Sequence, residues 1–333
     1  MNNRQWRIAA RPLRRPLAEA DFAWHEEPAS APPDGQVLVR ALYLGFDPAQ
    51  KGWMENVSDY VPPTEIGDVM RAFGVGEVVT SRSGAFAAGD KVTGFLGWQD
   101  YALVEAAALT KVPDDELLTA NLGVLGVTGY TALLGLHKIG RPFPGDTMVV
   151  TGAAGGVGSL VGQLGKIAGC RVIGIAGGRE KCDWLVGELG FDAAVDYKST
   201  EVRKALRGLA PDGVDIVWDN VGGKVLNDLL ARLAQHGRVV VCGAISIYSE
   251  AALPPGPANY MNLVFKRARM EGFIVLDHED EFPWARERLV RLLRDGRLKY
   301  AEDVRSGLEN APHTLLRLFD GSNRGKQILK VAA

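Results

Sequence analysis

The chain has 333 residues, 47% of them hydrophobic and 23% charged, with a net charge of -2. That length and balance fit a soluble globular chain of about two domains, and the near-neutral charge sets up no long-range field for nucleic acid or an anionic membrane. The three cysteines, Cys170, Cys182 and Cys242, are too few and scattered for a disulfide framework, and no C-x-x-C pair is present for a structural zinc lobe, which fits a reducing compartment, the cytoplasm.

The first residues are basic (Arg4, Arg7, Arg11, Arg14, Arg15), with no acid before Glu19. A transit peptide is the alternative on that count. Pro12 and Pro16 break any amphipathic helix there, and no apolar core follows, so the reading is against a leader. No apolar run reaches the roughly 18 residues of a membrane-spanning helix.

In chain order, residues 1–122 carry short strand-like runs: Gln36–Leu44 after Pro32-Pro33-Asp34-Gly35, then Gly74–Ser81, Lys91–Leu96, Tyr101–Val104 and Leu109–Val112. Short strands separated by Gly and Pro turns predict a small, mostly β barrel or sandwich. From Asn121 the rhythm changes. Strands are predicted at Met148–Thr151, Arg171–Ala176, Ala193–Asp196, Val214–Asp219, Arg238–Cys242 and Arg269–Val275. Helices are predicted between them at Gly156–Ala168, Glu180–Leu189, Thr200–Leu209 and Lys224–Ala234. That alternation predicts an α/β domain, a doubly wound parallel sheet over 123–296. After a helix at Pro283–Leu293, polar turns and a last strand, Lys326–Val331, are expected to rejoin the β-domain from about 297 to 333.

The most informative segment is Met148-Val149-Val150-Thr151-Gly152-Ala153-Ala154-Gly155-Gly156-Val157-Gly158-Ser159. It reads as a buried strand, a glycine-rich turn and a helix, an arrangement that brings backbone N–H groups against a phosphate at a helix N-terminus. The spacing is G-x-x-G-G-x-G rather than the strict G-x-G-x-x-G. Gly155 and Gly156 still let the backbone approach a diphosphate, and Gly158 still lets the helix pack on the strand. After the second strand, where an NAD enzyme places an acid for the ribose 2′-hydroxyl, the chain has Gly177-Gly178-Arg179-Glu180-Lys181. Two glycines and two cations suit a 2′-phosphate, which favours NADP(H). Glu180 is the objection. It reads either as the ribose acid or as a first-turn residue favoured by the helix dipole. Tyr197, just past the third strand, lies against the nucleotide or simply packs.

With these residues in place, the chain resembles the zinc-independent medium-chain dehydrogenase/reductases, in their NADP-dependent double-bond reductase branch, which includes leukotriene B4 dehydrogenase/prostaglandin reductase, 2-alkenal reductase and curcumin reductase. The resemblance covers nearly the whole chain. It is carried by Asp47-Pro48, Gly97-Trp98-Gln99-Asp100-Tyr101, Leu122-Gly123-Val124-Leu125-Gly126, Gly155–Gly158 and Lys181. Asp219-Asn220-Val221-Gly222-Gly223, Cys242-Gly243-Ala244-Ile245-Ser246, Leu253-Pro254-Pro255-Gly256-Pro257, Gly272-Phe273-Ile274 and Gly307-Leu308-Glu309-Asn310-Ala311-Pro312 carry the rest.

The resemblance implies a GroES-like β-domain joined to the dinucleotide domain, and NADPH-dependent reduction of the C=C bond of an α,β-unsaturated ketone or aldehyde. It implies that Gly155, Gly156, Val157 and Gly158 bind the diphosphate and that Lys181 and Tyr197 hold the 2′-phosphate end. It implies that Asn220, Cys242, Gly243, Ala244, Ile245, Ser246, Tyr248, Phe273, Ile274, Val275 and Asn323 surround the ribose and nicotinamide. It also implies a homodimer, commonly through an edge of the dinucleotide-domain sheet. The chain departs from the family where Asp-Pro-Tyr-Met-Arg becomes Asp47-Pro48-Ala49-Gln50-Lys51 and Gly-Met-Pro-Gly becomes Gly126-Val127-Thr128-Gly129. Thr-Ala-Tyr becomes Thr131-Ala132-Leu133, and Ser-x-Tyr-Asn becomes Ser246-Ile247-Tyr248-Ser249. Two phenols are lost, which alters the substrate pocket; its shape also depends on the loops Trp53–Val61 and Tyr248–Tyr260.

In the implied reaction a hydride reaches the β-carbon and negative charge builds on the carbonyl oxygen. A donor aimed at that oxygen lowers the barrier, and the α-carbon takes a proton from a side chain or water. No metal is required, because the conjugated carbonyl is already polarised. Tyr248, in the loop after the fifth strand, is the candidate donor, since a phenol is protonated at neutral pH. Water and the nicotinamide-ribose hydroxyl remain alternatives to it. The five histidines, His25, His137, His236, His278 and His313, have no paired spacing for a metal. Cys242 has no neighbouring histidine in the sequence to make it a nucleophile. Trp98, Tyr101, Tyr43 and Met70 either line the β-domain side of the site or fill its core. Other readings are a quinone reductase and an NADPH-binding protein without turnover.

Overall fold

The computed structural model describes residues 1–332 except 58, 114–116 and 253. Leu253, part of one motif quoted above, and residue 58 of the loop 53–61 therefore lie outside the described residues. The chain divides into two compact units, Met1–Gly126 with Glu302–Ala333, and Val127–Ala301. Those divisions fall a few residues beyond the changes of rhythm at 122 and 296.

In the first unit, β1 (Asn2–Ile8) and β2 (Phe22–Pro28) form an antiparallel pair. β3 (Gln36–Phe46), α1 (Ala49–Glu55), β4 (Phe73–Ser81), β5 (Lys91–Phe95), β6 (Tyr101–Glu105) and β7 (Thr110–Lys111) follow. β14 (Glu302–Ser306), α9 (Ala311–Asp320) and β15 (Lys326–Lys330) come from the chain's end. The main sheet runs β14-β15-β3-β4-β5-β7, with β6 paired to β3. Trp98 and Met70 are fully buried with Phe46, Leu44 and Met54. They fill the core of this unit rather than line a site.

Five elements here, β1, β2, α1, β14 and α9, were not legible in the sequence. β1 hides behind polar residues: Asn3 and Gln5 are buried because their amides donate to Gln99 Oε1 at 3.1 and 3.0 Å. β14 also lacks an apolar pattern. α9 occupies a stretch expected to be polar turns, and its signals are Pro312 in the first turn and Gly321, at φ +69°, just past the end. Lys51, where the family resemblance leads one to expect arginine, is fully buried, and its Nζ donates to Glu55 Oε1 at 2.6 Å and to Pro12 O at 3.2 Å.

In the second unit, α2 (Val127–Gly135) leads into β8 (Thr147–Thr151), α3 (Gly156–Ile167), β9 (Arg171–Ala176), α4 (Arg179–Gly187) and β10 (Ala193–Asp196). Then come α5 (Val202–Leu209), β11 (Val214–Asp219), α6 (Gly223–Leu230), β12 (Leu233–Val241), α7 (Asn262–Lys266), β13 (Arg269–Gly272) and α8 (Phe282–Arg294). The strands make one parallel sheet, in the order β10-β9-β8-β11-β12-β13. The chain winds outward from β8 in both directions, so the order reverses between β8 and β11, and ligands of such sheets bind at the strand ends beside that point. Helix α6 stops at Leu230, four residues before its expected end at Ala234. Val214 N–H donates to Arg232 O and Leu233 is buried, so the sheet claims that segment.

Candidate active site

Every functional strand of the parallel sheet ends on one edge, and the sequence motifs lie along it. At the end of β8 the backbone turns through Gly152, at φ +57°, and Gly155 caps α3. Gly155, Gly156 and Val157 are half-exposed, whereas Gly158 is buried. A Cβ on Gly158 would lie 2.4 Å from Gly152 O and 2.9 Å from Ala153 Cα, so only glycine lets the helix begin this close to the strand. Farther along α3, a Cβ on Gly162 would run into the Phe191 ring at 1.8 Å. The opening N–H groups of a twelve-residue helix are left at the sheet edge, with its dipole favouring an anion there.

The turn after β9 carries the selectivity argument. Gly178, at φ +94°, precedes α4, whose first turn contains Arg179, Glu180 and Lys181. Glu180 is exposed in that first turn rather than at the strand end, as the dipole reading expects. An acid does stand at the end of the neighbouring strand. Asp196 Oδ1 accepts from Gly178 N at 2.8 Å and Lys198 N at 3.0 Å, and Oδ2 accepts from Ser199 Oγ at 2.9 Å. Those donors, the Gly178 N–H first, hold its carboxyl below the usual aspartate range. Asp196 thus serves the turn. Tyr197 is half-exposed, and a Cβ on Gly177 would meet its ring and Lys198 Cε at 3.0 Å. The Tyr197 phenol and the Lys198 stem close directly over Gly177. Lys198 is a residue the sequence reading missed, and its signal was adjacency to Tyr197.

A buried carboxylate organises the other end of the edge. Asp219, at the end of β11, is fully buried and accepts from Thr151 Oγ1 at 2.7 Å, from Val221 N at 3.1 Å and from Gly222 N at 3.0 Å. Burial pushes its carboxyl above the usual value, and these hydrogen bonds oppose the shift. Thr151 Oγ1 also accepts from Asn220 N at 2.8 Å, while Asn220 Nδ2 donates to Thr151 O at 2.6 Å and Oδ1 accepts from Trp218 Nε1 at 3.1 Å.

The loop after β12 docks on this turn. Cys242 N and Gly243 N donate to Asp219 O, Ile245 N to Asn220 O, and Ser246 N and Oγ to Val221 O. Cys242 is half-buried, and desolvation, with Asp219 beside it, pushes its thiol up to about 12. That shift disfavours the thiolate, the nucleophilic form of cysteine. Burial likewise raises Cys170, to about 11. The Tyr248 hydroxyl accepts from Ala244 N at 3.2 Å. After β13, Phe273 and Ile274 are half-buried and Val275 is buried. Asn323 belongs to the first unit, where it is buried and Nδ2 donates to Gly325 O at 3.0 Å. Among the described residues no group of three or more His, Cys, Asp or Glu side chains comes together in a geometry that could hold a metal.

Two resemblance motifs are structural. Trp98 is core, Gln99 receives Asn3 and Gln5, and Asp100 pairs with Arg4 at 2.7 Å. In the helix after Gly126, the Thr131 hydroxyl bonds back to Val127 O, and Leu133 is half-buried.

This is the edge of a dinucleotide-binding oxidoreductase domain, attached to a mostly β domain. A model described as the N-terminal domain of oxidoreductase matches residues 4–112, and one described as zinc-binding dehydrogenase matches residues 156–291. The NADPH-dependent curcumin reductase of Escherichia coli K12 is 40% identical over 99% of this chain and 97% of its own. The NADP(+)-dependent 2-alkenal reductase of Nicotiana tabacum is 40% identical over 90% of this chain and 89% of its own. The crystal structure of CurA from Vibrio vulnificus in complex with NADPH has a TM-score of 0.94 and 37% identity, covering 99% of both chains. The chain belongs to the medium-chain dehydrogenase/reductase family, in its NADP-dependent double-bond reductase branch.

Proposed function

We propose that the protein is an NADPH-dependent reductase of the C=C bond of α,β-unsaturated ketones or aldehydes, with hydride delivered to the β-carbon without a metal. The observation that carries this reading is the turn after β9, which has no acid at the strand end, opens α4 with Arg179 and Lys181, and has the Lys198 stem beside Gly177. Bound NADPH supplies the hydride from nicotinamide C4.

The residues present fit that cofactor. The opening of α3 at Gly155–Gly158 holds the diphosphate through N–H groups. Lys181 and Tyr197, with Lys198 alongside, take the 2′-phosphate. Asn220, the 242–248 loop and Phe273–Val275 contact the ribose and nicotinamide. Tyr248 is the proposed donor to the carbonyl oxygen or α-carbon, its phenol oriented by the Ala244 N–H.

Following NADPH absorbance while a panel of enals, cyclic enones, curcumin-like dienones and quinones is added tests the reading. Oxidation of NADPH with saturation of the enone double bond, and far slower oxidation of NADH, is expected. Turnover of quinones alone would replace this reading with a quinone reductase. Tyr248→Phe is expected to lower kcat, and an unchanged kcat removes the donor role.

The reading extends to a GroES-like domain formed by 1–122 with about 297–333, a dinucleotide domain of 123–296, a homodimer, and residence in the cytoplasm, consistent with three free thiols. β13 ends the parallel sheet, and Val264, Phe265 and Met270 beside it are exposed at 61%, 63% and 38%, which supports pairing of two copies along this edge. Light scattering on the intact protein is expected to give twice the chain mass, and Phe265→Glu to give the monomer.

A further inference from the structure

Trp218 stands in β11 one residue before the buried Asp219 that ends it, and it is fully buried itself. Burial alone accounts for its ring and leaves its N–H to be explained. That N–H donates to Asn220 Oδ1 at 3.1 Å. On the other side of the same carboxamide, Nδ2 donates to Thr151 O at 2.6 Å. An indole N–H only donates and a backbone carbonyl only accepts, so the two partners permit a single orientation of the amide. Each amide atom keeps one hydrogen-bonding position: a second N–H on Nδ2 and a second lone pair on Oδ1.

The same indole also reaches the segment just after β13. Its ring meets Phe273 edge to face, with centroids 6.0 Å apart and planes at 74°. Gly135 in α2 makes this packing fit, since a Cβ there would lie 2.4 Å from Phe273 Cζ and 2.6 Å from Trp218 Cη2. One buried side chain therefore sets both the amide at the end of β11 and the aromatic residue just after β13, although those strands are separated in the sheet by β12.

We infer that Trp218 is a positioning residue for the nicotinamide half of the dinucleotide. Its N–H locks the Asn220 carboxamide, and its ring props Phe273. The inference rests on the reading that Asn220 and Phe273 contact that half of the cofactor, and the test separates the two claims.

A double-mutant cycle in NADPH binding, read by nucleotide fluorescence on the intact protein, combines Trp218→Phe with Asn220→Ala. Trp218→Phe keeps a ring beside Phe273 and removes the N–H. Alone it should weaken NADPH roughly three- to tenfold, the size of one hydrogen bond. In the Asn220→Ala background the same change should cost less than about twofold, because the amide it orients is gone. Additive effects overturn the positioning role, and so does an unchanged dissociation constant in Trp218→Phe. An Asn220→Ala protein that binds NADPH as tightly as the wild type overturns the cofactor reading itself. Thermal melting is recorded in parallel, since a purely structural role lowers Tm without coupling to Asn220. Hydrogen exchange of the Trp218 indole proton needs no core substitution. It should be strongly protected in the wild type and faster in Asn220→Ala, and equal rates overturn the bond.

Discussion

The turn after β8 and the loop after β12 lie on the same edge of one sheet, and they are held in place by opposite means. The first is defined by what is missing: Gly158 has no Cβ to strike Gly152 O, and the backbone closes up until helix N–H groups face outward. The second is defined by what is present. A buried carboxylate, a threonine hydroxyl and an asparagine amide tie β8, β11 and the 242–248 loop into one network. A phosphate site needs only close approach and bare N–H groups. A nicotinamide site must fix orientation as well, and polar side chains with fixed donor and acceptor roles do that.

The sharpest way to break this contrast is Asp219→Ala. It strips the acceptor from the Thr151 hydroxyl and from the Val221 and Gly222 N–H groups, all at a buried site. Each stranded donor costs about 1–3 kcal/mol, so denaturant unfolding should show a large loss of stability. A loss no greater than that of a surface substitution would mean the network does not hold the edge.

Gly158→Ala attacks the first region through packing. The added methyl meets backbone at 2.4 Å, so the start of α3 must move. Overpacking of this kind costs about 1–3 kcal/mol. Calorimetry should show a lower Tm together with weaker NADPH binding, and a variant that binds as the wild type does would show that close approach is not required.

Lys181→Ala should weaken NADPH by about 1.5–3 kcal/mol, the contribution of a charge-assisted hydrogen bond, and leave NADH nearly unchanged. Equal losses for both nucleotides would take Lys181 away from the 2′-phosphate.

A smaller effect is the pH dependence that Asp219 imposes. Burial raises its carboxyl above the unfolded value, so the native state keeps that proton to higher pH than the unfolded chain does. Stability from this group is therefore lost as pH climbs from the ordinary aspartate value through the raised one, and is level beyond it. The wild type should lose stability relative to Asp219→Asn across that window in denaturant titrations. A difference that is flat or of opposite sign would contradict the account. Gly177→Ala should have the least effect, since its methyl meets a phenol and a lysine stem that can yield. A NADPH affinity reduced about twofold is expected, with NADH unaffected.

The same contrast explains what was legible in the sequence. The parallel sheet could be read because its strands are apolar runs such as Met148–Thr151 and Val214–Asp219, and the turn after β8 because glycines mark close approach directly. Asp219, Asn220 and Trp218 stand in or beside a visible motif, but Thr151, the partner of Asp219 and Asn220, lies 68 residues from Asp219, so the network exists only once β8 and β11 are neighbours. β1 escaped because its inward residues are amides satisfied by Gln99 rather than apolar side chains. The shortened α6 escaped because Leu233 suits a helix face and a sheet equally well.

Calorimetric titration of the intact chain with NADPH and with NADH tests the central claim most directly. The cation-bearing turn after β9 predicts that NADPH binds tighter by roughly ten- to a hundredfold, the range a charge-assisted contact to the 2′-phosphate provides. Equal affinities, or tighter binding of NADH, would contradict it.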